Sequence, residues 1–89
     1  MIRVVFTPNL QRHIACPPVE VAAVTVREAL DAAFAGNERA RSYVLDERAA
    51  LRKHMVVFVN GARISDRVHL SDPVPENGEI YVLQALSGG

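Results

Sequence analysis

The chain has 89 residues, 49% of them apolar, and ten Lys+Arg balance ten Asp+Glu for a formal net charge of zero. Such a balance supplies no field to gather nucleic acid or an anionic membrane non-specifically. One cysteine, Cys16, excludes an internal disulfide, and the longest apolar run, Met55 to Val59, falls far short of the roughly 20 residues a bilayer span needs. The N-terminus leads into a strand pattern with no apolar leader region. These features predict a small, soluble, cytoplasmic protein, with one domain over residues 1–84 and a flexible tail over 85–89.

In chain order, Ile2 to Thr7 is β-branched and aromatic and predicts a strand. Pro8-Asn9 is a turn pair, and Leu10 to Ala15 is expected to run back as the second strand of a hairpin. Pro17-Pro18 would stop it, because proline has no N–H to give the ladder. Thr25-Val26-Arg27-Glu28 has the form of a capping box, in which the hydroxyl and the carboxylate satisfy orphan amides at a helix start. Val26, Ala29, Leu30, Ala33 and Phe34 then fall on one helical stripe, with Arg27, Glu28 and Asp31 on the opposite face. Gly36-Asn37 ends the helix.

Ala40, Tyr43, Val44 and Leu45 fit a helical turn or a short strand, followed by a loop over residues 46–50. Met55 to Val59 reads as a strand, and Asn60-Gly61 after it is a hairpin signal, with residues 62–64 as the return. Residues 72–78 are turn chemistry throughout, and residues 79–84 form the last strand. The predicted order is β-β-α-β-(β)-β. It describes an α+β fold, a mixed sheet with one main helix packed on one face.

The chain ends Leu86-Ser87-Gly88-Gly89. Neither terminal residue has a Cβ, so both can thread a channel too narrow for side chains and bring the Gly89 carboxylate to a reacting group. That carboxylate has an ordinary pKa of about 3.5 and is ionised at neutral pH. It becomes an acyl donor only once activated, for example as a mixed anhydride with AMP.

The hairpin, the helix, Phe58-Val59-Asn60-Gly61, Pro75-Glu76-Asn77-Gly78-Glu79, the final strand and the Leu-Ser-Gly-Gly end together resemble the ThiS/MoaD family of ubiquitin-like sulfur carriers. In length and layout the chain is closer to MoaD and CysO-type carriers than to ThiS. Ser87 stands where alanine is commoner, and Glu76-Asn77-Gly78-Glu79 replaces an acidic-Gly-acidic turn.

The resemblance implies a β-grasp fold and a carrier that is not itself an enzyme and binds no cofactor. A partner activating enzyme would use MgATP to adenylate Gly89, and a sulfur donor would displace AMP to leave a thiocarboxylate. A synthase would then accept the sulfur, in molybdopterin, cysteine, thiamine or related biosynthesis. Gly89 would carry the sulfur, Gly88 would permit entry to the partner's channel, and Leu86 and Ser87 would contact that channel. Phe58 and Tyr81 are candidates for an exposed docking patch, because strand alternation turns one of each neighbouring pair outward. Two other readings keep the same sequence features: a modifier forming isopeptides with lysines, and a non-covalent interaction module with an inert Gly-Gly.

The remaining chemistry-bearing residues read as structural. Cys16, before two prolines and with no near His or Lys, reads as a packed or idle thiol. His13, His54 and His69 have no metal-ligand spacing, so no metal is expected. The arginines of residues 39–52, with Lys53, are interleaved with Glu38, Asp46 and Glu47 and read as a solvated face.

Overall fold

The alternation in Ile2–Phe6 (β1) settles the architecture from its first residues. Ile2, Val4 and Phe6 are all but fully buried, while Arg3 faces out and Val5 is half-buried. The computed structural model describes residues 1–85. After β1 come α1 (Pro8–Gln11), β2 (Val19–Val21), α2 (Val26–Ala33), α3 (Glu38–Val44), β3 (Met55–Val59), β4 (Ala62–Arg63) and β5 (Glu79–Gln84). The sheet order is β2-β1-β5-β3-β4, with β1 and β5 parallel and every other pairing antiparallel. The first and last strands are thus neighbours at the centre of the sheet. A parallel pair needs a crossover, and here the rest of the chain supplies it.

The expected early hairpin partner is not where the sequence placed it. Residues 10–15 do not form a strand: Pro8 begins a short helix after the extended Thr7, and Leu10 turns into the core with no exposed surface. Proline at a first helical position has its φ preset and loses no needed N–H, so Pro8-Asn9 starts α1 instead of a tight turn. The antiparallel partner of β1 is Val19–Val21, which lies beyond Pro17-Pro18, with Ile2 opposite Val21 and Val4 opposite Val19. It is an edge strand, where prolines are tolerated at the approach.

The helix α2 forms as its sequence dictates. The Thr25 hydroxyl accepts from the Glu28 amide at 3.2 Å. The Glu28 carboxylate reaches back one residue further than a standard capping box and accepts from the Val24 amide at 2.9 Å. Val26, Ala29, Leu30 and Phe34 are buried, and the Phe34 ring meets Phe6 of β1 at a centroid distance of 5.7 Å. Arg27 is not a free solvent-facing residue. Its guanidinium donates to the carbonyls of Ala49 at 2.5 Å and His69 at 3.2 Å, tying α2 to two loops.

Residues 38–44 take the helical alternative: Asn37 caps α3 by accepting from the Ala40 amide at 3.2 Å, and Ala40 and Val44 are buried. An isolated bridge between Leu45 and Leu51 then closes the loop through residues 46–50, with the Asp46 carboxylate accepting from the amides of Arg48 and Ala50. Besides the main helix α2, the shorter α3 also contributes buried residues to the core. At Asn60-Gly61 both residues have positive φ, 49° and 86°, the signature of the primed turn the dipeptide predicts. One contiguous core joins the inner sheet face to α1, α2 and α3.

Candidate functional site

The residues that hold the start of the tail come from four places in the chain. β5 lies between β1 and β3, and its ladder with β3 runs to the last residue, Gln84 opposite Met55. One further backbone bond extends the pairing, from the Ala85 amide to the His54 carbonyl at 2.7 Å. The Tyr43 hydroxyl of α3 donates to Oε1 of Gln84 at 3.2 Å. The Tyr43 ring stacks on His13 at 5.9 Å and meets His54 edge-on at 6.0 Å. A strand fixed on both sides and at its last side chain gives everything beyond Ala85 a defined point of departure.

Sequence reading did not select Tyr43, His13, His54 or Gln84 for this role. The pair Tyr43–Gln84 spans 41 residues, and no local pattern links them. Of the predicted site residues, Leu86, Ser87, Gly88 and Gly89 lie outside the described residues.

The two aromatic candidates are brought together. Phe58 of β3 is the direct cross-strand partner of Tyr81 of β5, and the row continues to Arg63 of β4 and Val5 of β1. Since Met55 and Val57 point into the core, Val56 and Phe58 occupy the opposite face, and Tyr81 and Leu83 join them there. No helix among the described residues is packed over this face: Tyr81 is 41% exposed and Phe58 and Leu83 are half-buried. Arg3, Glu79 and Arg63 flank this apolar row. Arg3 and Glu79 form an ion pair at 3.6 Å beside it, exposed enough to contribute little to stability.

The one cysteine is enclosed. Cys16 is buried at 3% exposure, its thiol donates to the Ile14 carbonyl at 3.4 Å, and burial pushes its pKa up. That is the environment of a packed thiol, since reactivity requires an accessible thiolate. Among the described residues no group of three His, Cys, Asp or Glu side chains could hold a metal ion. No helix among them is long and apolar enough to cross a membrane.

No family model matches the sequence, and no curated protein matches it. Solved structures do. The chain superimposes on CysO in the Amycolatopsis orientalis BexX/CysO complex with a TM-score of 0.80, at 22% identity over 100% of both chains. It matches SAMP1 from Haloferax volcanii with a TM-score of 0.75, at 24% identity over 99% of this chain and 98% of the other. Mycobacterium tuberculosis CysO gives 0.77 at 15% identity, covering 97% of this chain and 100% of its own. The fold is the ubiquitin-like β-grasp. Tyr81 lies on β5, the strand whose end leads to Ala85.

Proposed function

We propose that this chain is a sulfur carrier of the ThiS/MoaD type, acting in the cytoplasm through the carboxylate of Gly89. The observation that carries the reading is the junction of Gly88-Gly89 to a β-grasp whose last strand is fixed up to Ala85. The tail then spans four residues, a reach of up to about 14 Å from a rigid body.

The chemistry is an acyl activation followed by a displacement. A Gly89 carboxylate oxygen attacks the α-phosphorus of MgATP on a partner enzyme, pyrophosphate leaves, and an acyl-adenylate results. A sulfur nucleophile adds to the acyl carbon and AMP departs with the carboxylate oxygen, leaving a thiocarboxylate. The chain supplies the acyl carbon and the docking surface, while partners supply base, metal and nucleotide sites. Phe58 and Tyr81 would dock the partner, Leu86 and Ser87 would line its channel, and Gly88 and Gly89 would pass its narrowest part. The complex of a CysO protein with BexX shows that a protein of this fold assembles with a partner.

Intact mass after incubation with ATP, an activating enzyme and sulfide tests the reading. The expected product is heavier by the difference between sulfur and oxygen, gains the mass of one alkyl group at sulfur on alkylation, and returns to the starting mass when hydrolysis releases sulfide. An unchanged mass with an enzyme that loads its own carrier would overturn it. A second reading is favoured by one observation, the likeness to the small archaeal modifier protein from Haloferax volcanii. A modifier would form isopeptides with lysines of other proteins, and mass spectra of cell extract would then show conjugates in place of a free thiocarboxylate.

A further inference from the structure

Beside Ala85, on the side of β3 away from His13 and Tyr43, lies an open groove with an uneven charge. Its rim carries Lys53, Arg63 and Arg67, and no carboxylate among the described residues lines it. Its floor is apolar, formed by Leu51, Val56 and Val68. Leu51 and Val56 are buried, while Val68 is 59% exposed and offers its side chain to the groove. In a chain of zero net charge, three of ten cations are collected here. Among the described residues none of the three pairs with an acid: the side-chain ion pairs involve Arg3, Arg27 and Arg41 instead.

The groove is also held in shape. Arg67 donates to the carbonyls of Arg52 at 2.8 Å and Lys53 at 3.4 Å, and the Leu51 amide donates to the Arg67 carbonyl at 2.8 Å. These bonds join the loop before β3 to the loop after β4. Arg63 is the cross-strand partner of Phe58, so the groove continues directly into the open aromatic face.

We propose that this groove is the docking site for an acidic segment carrying one apolar side chain, contributed by the protein that receives the tail. Charge complementarity selects the acids, and the floor of Leu51, Val56 and Val68 takes the apolar residue. Position does the rest: a segment seated here lies at Ala85 and holds its own protein at the exit of the tail. Only the identity of that protein rests on the carrier reading. The affinity of the groove itself does not depend on Gly89 chemistry.

The test is titration of the isotopically labelled full chain with a blocked pentapeptide of Asp and Glu around a central Leu, followed by NMR. Shift changes are expected at Leu51, Val56, Val68 and Ala85, with binding that weakens as salt rises from about 0.05 to about 0.3 M. The double variant Lys53→Glu, Arg63→Glu should bind roughly ten-fold more weakly with an otherwise unchanged spectrum. Val68→Asp, at an exposed position, should lose binding likewise. Arg67 is left intact because it holds the groove together. Shift changes elsewhere, or equal binding of the matching Asn/Gln peptide, would overturn the proposal. So would a chain truncated after Ala85 that binds the peptide about ten-fold more tightly than the full chain, since the groove's occupant would then be the chain's own C-terminus. Peptide binding by a chain that no enzyme can load with sulfur would leave the groove standing and sink the carrier reading alone.

Discussion

Phe58 and Tyr81 stand opposite one another on adjacent antiparallel strands, on the sheet face that no helix of the described residues covers. Such a pair contributes about 0.2–1 kcal/mol to the sheet. Tyr81 is 41% exposed and Phe58 half-buried, so on the proposed function the pair would serve docking more than stability. Tyr81→Glu should therefore change stability by less than about 1 kcal/mol while weakening partner association. Urea unfolding paired with an activating-enzyme binding assay checks this. Unchanged association would remove Tyr81 from the interface.

The core behaves in the opposite way. Phe34 is 2% exposed and packs on Phe6 at 5.7 Å, between α2 and β1. Phe34→Ala should cost about 3–5 kcal/mol, a large share of the stability of a small domain. A loss below about 1 kcal/mol in denaturant titration would contradict the packing.

Two glycines should respond differently to alanine. Gly61 sits at φ 86° with open space where a Cβ would go, so Gly61→Ala carries only a conformational cost of about 1 kcal/mol. At buried Gly78 a Cβ would lie 2.8 Å from the Pro75 carbonyl oxygen and 2.9 Å from Val74 Cγ1. Gly78 also joins β1 to the turn, accepting from the Arg3 amide at 3.0 Å. Gly78→Ala should cost about 1–3 kcal/mol through overpacking. Thermal melts of the two variants side by side check the order, and a milder Gly78 variant would refute it.

Acid should unfold the protein through its loops. The Ser71 hydroxyl and then the His69 amide hold the Asp66 carboxyl well below the usual carboxylate range. Amides of Ala50 and Arg48 depress Asp46 in the same direction. A carboxyl whose folded pKa lies below its unfolded value binds fewer protons in the native state. Its stabilisation is complete above the unfolded value of about 4 and is lost as pH falls from there through the folded value. Melting temperature should thus hold from neutral pH to about pH 5 and begin to fall below about pH 4, modestly because neither carboxyl is buried. Asp66→Asn should lower stability at neutral pH and flatten that fall. A variant with the same acid slope would show that Asp66 does not drive it.

If Gly89 is the acyl donor, adding one residue after it displaces the carboxylate by about 3.5 Å and should abolish ATP–pyrophosphate exchange with the activating enzyme, leaving the fold intact. Gly88→Ala should be milder, because it adds a Cβ without moving the carboxylate. Cys16→Ser should load sulfur normally, since the thiol is buried. Normal exchange by the extended chain, or loss of loading in Cys16→Ser, would exclude the C-terminal mechanism.

The sequence by itself determined the elements whose cause is local. Thr25 and Glu28 start α2, the stripe from Val26 to Phe34 gives its buried face, and Asn60-Gly61 turns the β3–β4 hairpin. It misplaced β2, because Pro8 is compatible with both a turn and a first helical turn, and Leu10 chose between them only by burial against the core. It left α3 undecided for the same reason: Ala40 and Val44 suit a helix or a strand until the sheet gives them a surface to cover. The tertiary structure alone decided which face of β3 and β5 is open, because alternation fixes two faces without saying which is covered. It alone brought Tyr43 to Gln84 and Lys53 to Arg63 and Arg67, through pairings set by burial across the chain and not by any spacing within it.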